Sequence, residues 1–258
     1  MSQYPFDLPR TIPQQRVRDK LDAYMARRDY AGAERHLRYW LEEARRCGDE
    51  RGELMVLNEL VGHCRKVGNR DGAMEAGEAA LELIDRLELG GSVTEGTTCV
   101  NLATAMSAFD ESARALALFE RARQVYEASA ATEPRLLGGL YNNMALASAA
   151  LRRYDDAVAL YGKAMEQMGR VEHGALEQAI TCLNLANLWE DRLGMEAAEG
   201  RIFDLLDRAV ALLDTPDIPH DGYYAFVCEK CAPTFEYYGY FADAQRYTQE
   251  SKQIYEGH

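Results

Sequence analysis

No stretch of the 258-residue sequence is apolar over the ~18–20 positions that a bilayer-spanning helix requires. The opening residues, MSQYPFDLPRTIPQQR, lack the basic start and apolar stretch of a secretory leader. Asn-x-Ser/Thr acceptor sites are missing. The six cysteines (Cys47, Cys64, Cys99, Cys182, Cys228, Cys231) are scattered, unlike the dense pattern of a small disulfide scaffold. A reducing, cytoplasmic setting is therefore expected. Positive charge is also scarce: 29 Lys+Arg stand against 42 Asp+Glu, a net charge of −13. Nucleic acids and anionic membranes both recruit basic surfaces, so neither is an expected partner. The sequence has no GxxxxGK[ST] loop, no GxSxG and no HExxH, and its five histidines form no i,i+4 pair. No catalytic residue, metal or cofactor is expected, and the chain reads as a non-enzyme.

Repetition is what the chain has instead. The segments DYAGAERHL, RDGAMEAGEAAL, ESARALALFERA, YDDAVALYGKAM, GMEAAEGRI and YFADAQRYT each open a helical apolar pattern with a small residue. Their key alanines are Ala33, Ala73, Ala115, Ala157, Ala198 and Ala244, which are 40, 42, 42, 41 and 46 residues apart. Upstream of these alanines run further helical patterns, such as LMVLNELVGHC, TCVNLATAM, LYNNMALASAAL and TCLNLANLW. The unit is thus helix–turn–helix, repeated about six times, with breakers at Gly90-Gly91, Pro134 and Thr215–Gly222. A single amphipathic hairpin cannot bury its own apolar face, whereas stacked hairpins share a continuous core.

The stretch Tyr141–Met165 resembles a tetratricopeptide (TPR) repeat, with Tyr141, Met144-Ala145, Tyr154, Ala157, Tyr161 and Ala164 at the pattern's spacing. Similar but looser matches extend the likeness over residues 14–256. The period of about 42 is similar to the long repeats of the kinesin-light-chain type. This resemblance implies an all-α, right-handed superhelical solenoid of about six TPR-like hairpins, a single domain over 14–256; the three prolines of YPFDLPRTIP predict an extended segment over 1–13 before it. It also implies a scaffold that holds a protein or peptide partner in a concave groove. In the resembled repeats, asparagines of the first helices contact bound peptides; the matching positions here are Asn101, Asn143 and Asn184.

Asparagine is a poor residue for a helix interior, because its amide competes for backbone hydrogen bonds. A row of amides can grip an extended peptide through donors and acceptors alike, or it can bridge adjacent repeats. Asn58 is an uncertain fourth member of the row, and Asn142 and Asn187 are expected beside it. Other expected groove neighbours are Thr97, Thr104, Leu146, Arg65, Lys66, Glu190 and Asp191. TPR proteins that clamp a terminal carboxylate use Lys and Arg where this chain has Asp22, Glu59 and Thr97, which argues against that ligand. The Cys228-x-x-Cys231 pair has no second ligand pair and reads as core packing. Ten aromatics between Tyr223 and Tyr255 suit a terminal repeat, and they also offer a surface for self-association. Two alternatives to the scaffold are a peptide-sensing regulator of the bacterial TPR type and a self-assembling structural subunit.

Overall fold

The structure, a computed structural model, describes residues 11–257, and among these it contains twelve α-helices and no strand. They pair into six hairpins: α1 (Gln14–Ala26) with α2 (Tyr30–Cys47), α3 (Glu50–Lys66) with α4 (Arg70–Arg86), and α5 (Val93–Ala108) with α6 (Ser112–Ala128). These are followed by α7 (Pro134–Ala150) with α8 (Tyr154–Met168), α9 (Ala175–Leu193) with α10 (Met195–Leu213), and α11 (Gly222–Tyr237) with α12 (Phe241–Glu256). The chain divides into two compact units, up to Ala130 and from Ala131, so each holds three hairpins. The all-α repeat architecture expected from the 42-residue period is thus present.

All six key alanines are buried on the second helices, five of them with no exposed surface and Ala244 with 6%. In the middle repeats they begin a small–large–small row: Ala115, Phe119 and Ala122 on α6, and Ala157, Tyr161 and Ala164 on α8, each at most 1% exposed. Small residues let two helix axes approach, and the large residue fills the space between layers.

Five of the hairpins turn in the same way. A three-residue link has its middle residue in the left-handed region, at Arg28, Gly68, Asp110, Arg152 and Gly239. The following N–H then reaches back to the last turn of the first helix, as in Asp29 N–H to Tyr24 O (3.0 Å) and Arg153 N–H to Ser148 O (2.9 Å). The second helices of the first two hairpins start with side-chain caps, Asp29 accepting from Gly32 N–H and Asn69 from Gly72 N–H. Asp49 caps α3 through Gly52 N–H, and its other oxygen accepts the Ile12 N–H at 2.8 Å. Ile12, buried, is thereby fixed beside the start of α3. Residues 1–10 of the expected extended segment lie outside the described residues.

Within the first unit, α2 packs on α3, α4 on α5, and α3 on α5; within the second, α8 packs on α9, and α9 packs on both α7 and α11. First helices therefore lie side by side in both units, which brings the asparagine-bearing surfaces of neighbouring repeats together. The aromatic C-terminal stretch is split between core and surface. Phe235, Tyr247, Tyr224 and Tyr238 are buried with Cys228 and Cys231, while Tyr237 and Phe241 are 69% and 67% exposed. The cysteine pair is thus core packing.

Candidate peptide-binding face

The asparagines of the first helices pair across repeats. In the first unit, Asn101 Nδ2 on α5 donates to Asn58 Oδ1 on α3 at 2.8 Å. Asn58 Nδ2 in turn donates to Thr98 Oγ1 at 3.1 Å and to its own helix at Leu54 O. The second unit repeats the arrangement. Asn184 Nδ2 on α9 donates to Asn142 Oδ1 on α7 at 3.2 Å, and Thr181 Oγ1 lies 3.3 Å from the same oxygen. Thr98 and Thr181 each also bond the carbonyl four residues back, at Thr94 and Glu177, which fixes their hydroxyls.

This geometry settles the register of Asn58. It accepts from an Asn that lies three residues after a Thr, as Asn142 does, so Asn58 and Asn142 occupy equivalent positions. Asn101 and Asn184 form the other, donating row. Asn142, rather than Asn143, is the residue that meets Asn184. All six expected residues are half-buried or partly exposed on first helices, and four of them form these two amide pairs.

No protein-family model matches the chain, and no curated protein does. Solved structures do. BtubC (BKLC) from P. vanneervenii aligns with a TM-score of 0.58 at 20% identity, over 90% of this chain and 91% of that one. A Podosopora anserina protein described as a kinesin light chain with nearly identical TPR-like repeats aligns with a TM-score of 0.54 at 16% identity, over 78% of this chain and 94% of that one. The chain has a TPR-like repeat fold.

Around the amides, the TPR-like first helices carry the other expected neighbours with mixed outcomes. Leu146 is 40% exposed, and Arg65 and Lys66 are exposed at the end of α3. Thr97 is engaged with the hydroxyl of Tyr126 at 2.8 Å. Asn187 Oδ1 accepts from Tyr238 OH at 3.0 Å, and both Tyr237 and Tyr238 donate to Glu190. Burial, and then the hydrogen bond to Glu190, push the Tyr238 phenol up, so it stays a neutral donor. Asp191 accepts from Tyr154 OH at 2.6 Å. Burial raises the Glu59 carboxyl, Arg18 opposing and Asp22 adding to the effect.

Sequence reading missed the threonines of the ladder and the tyrosine hydroxyls that close it. One signal was present: Thr98 and Thr181 stand at the same three-residue interval before Asn101 and Asn184. The tyrosines gave none, since Tyr238 lies 51 residues from the Asn187 it bonds. Among the described residues, no group of three or more His, Cys, Asp or Glu side chains is placed to hold a metal. Burial pushes the Cys228 and Cys231 thiols up to about 12, far from the thiolate form that would bind metal or exchange disulfides. No helix among the described residues is long and apolar enough to cross a membrane.

Proposed function

We propose that this TPR-like protein is a non-enzymatic scaffold that holds a peptide or helix of a partner protein against its first helices. The observation that carries the reading is the half-satisfied state of the amides. Asn101 and Asn184 each commit one N–H to the neighbouring repeat. Their second N–H and their carbonyl oxygen have no partner among the described residues, while the side chains are held in place. An amide fixed in this way offers a donor and an acceptor to an extended backbone at little further entropic cost. Asn143, Asn58, Asn142 and Asn187 flank these contacts.

The test is affinity capture from native extract with wild type and with an Asn101/Asn143/Asn184→Ala variant, quantified by mass spectrometry. Helicity and melting temperature are measured alongside, because the same amides also join repeats. Partners lost from a folded variant support the proposal. Partners retained in full would make the amides purely a bridge between repeats.

A second reading rests on the exposed rings of the last hairpin, Tyr237 and Phe241, which a self-associating subunit would cover. Sedimentation over a range of concentrations, with Tyr237→Ser/Phe241→Ser as comparison, decides it: a mass that grows with concentration in wild type alone supports self-assembly.

A further inference from the structure

The first hairpin brings positive charge and an aromatic wall together in one cleft. A cleft of about 670 Å³ opens on α1 and α2, lined by Arg16, Asp19, Lys20, His36, Tyr39 and Trp40. The three- and four-residue spacings put the charged residues on one side of α1 and the rings on one side of α2.

The rings pack on one another. Trp40 meets His36 and Tyr39 edge to face, with centroids 6.4 and 5.1 Å away, and Tyr24 packs on His36 at 5.6 Å. His36 Nε2 lies 3.0 Å from the Val17 carbonyl. A carbonyl only accepts, so Nε2 carries the proton, and the imidazole is pinned between the two helices.

The cations are not neutralised. Many arginines of the chain are paired with carboxylates, as in Arg38 with Glu34, Arg46 with Glu43 and Arg246 with Asp214. Arg16 makes no ion pair among the described residues, and neither does Lys20, whose ammonium sits 5.1 Å over the Tyr24 ring. Asp19, the one acid on the cleft, accepts the Gln15 amide at 2.7 Å.

We propose that this cleft binds a small aromatic anion, a flat ring bearing a phosphate or carboxylate, with the ring on Trp40 and Tyr39 and the anion on Arg16 and Lys20. The volume lies within the ~300–1,000 Å³ of small-molecule sites. The cleft surface is mostly apolar and suits the flat ring, while the guanidinium of Arg16 and the ammonium of Lys20 would bind the anion by charge-assisted hydrogen bonds. Cationic aromatics are disfavoured by Arg16 and Lys20, and inorganic anions gain nothing from the rings. The cleft belongs to α1 and α2, whereas the amide pairs lie on α3, α5, α7 and α9, so the inference stands independently of the proposed scaffold role.

The chain has two tryptophans, Trp40 and Trp189, so Trp189→Phe leaves Trp40 as the only indole reporter. Phenyl phosphate and benzoate are titrated into this variant, following Trp40 emission and isothermal titration heat, with inorganic phosphate and benzyl alcohol as half-ligands. Saturable binding of phenyl phosphate is expected, weakened at least roughly ten-fold by Arg16→Gln/Lys20→Gln and by either half-ligand alone. Both substituted side chains are exposed, so the fold is not at stake. Absence of saturable heat and emission change, an affinity unaltered in the double variant, or equal binding of inorganic phosphate would each overturn the proposal.

Discussion

His63 is 3% exposed on α3, and neither of its ring nitrogens has a hydrogen-bond partner. Burial pushes its pKa down; Glu34 opposes this and Arg38 adds to it. The unfolded chain therefore takes up the proton first, near pH ~6.5. The neutral ring's contribution is complete above that pH and is lost as pH falls towards the lower folded-state pKa. Urea melts at pH about 7.5 and about 5.5 are expected to show a larger drop in stability for wild type than for His63→Leu. An equal drop in both would show that His63 is not the group responsible.

Gly68 is a second single-residue determinant, with φ +75° at the α3–α4 turn and open space where a side chain would go. The cost of a Cβ there is conformational alone, so Gly68→Ala should lose about 1 kcal/mol in chemical denaturation. The same left-handed position is held by Arg28, Asp110 and Arg152 in other hairpins, where the packing of the helices enforces the turn that the residue type disfavours.

At the scale of helices, the crossing of α7, α8 and α9 is set by small residues. Ala157 and Ala145 have no exposed surface and pack with Tyr161 and Leu188. Ala157→Leu should overpack this crossing and cost about 1–3 kcal/mol, visible as a lowered denaturation midpoint with an unchanged slope. The amide pairs act at the same scale, because each joins two helices of different repeats. A double-mutant cycle of Asn142→Ala and Asn184→Ala should give a coupling of about 1 kcal/mol, whereas Asn184→Ala with Gly68→Ala, which share no partner, should be additive. Zero coupling between Asn142 and Asn184 would remove the bridge from the account of stability.

For the whole molecule, charge is the dominant property. The residues up to Ala130 carry 22 acidic and 18 basic side chains, and those from Ala131 carry 20 and 11. The excess of acid is therefore concentrated in the second unit. Polyanions gain affinity only by exchanging counterions for basic side chains, and a chain at −13 offers few in surplus. The protein should pass through heparin resin unretained at about 0.1 M salt, and retention there would contradict the expectation that nucleic acid is not a partner. The small cluster at Arg16 and Lys20 does not change this expectation, since two cations in one cleft suit one compact anion and not a polyanion.

Periodicity carried the fold in the sequence: alanines recurring about every 42 residues marked the second helices, and all six are buried in the structure. The lack of a second ligand pair likewise marked the cysteine pair as core, and the resemblance to TPR repeats marked the asparagine-bearing helices. What tertiary structure decided was register and rotation. One residue turns a helix by about 100°, so whether Asn142 or Asn143 meets Asn184 depends on how α7 and α9 seat against each other. The turns at Arg28, Asp110 and Arg152 were hidden for a related reason, because a backbone conformation imposed by packing leaves no residue signature. The cleft over Trp40 exists only where α1 and α2 lie side by side, with Arg16 and Lys20 brought opposite rings some twenty residues further along the chain. Local pattern fixes which face of a helix is buried; contacts between distant helices fix which side chains meet.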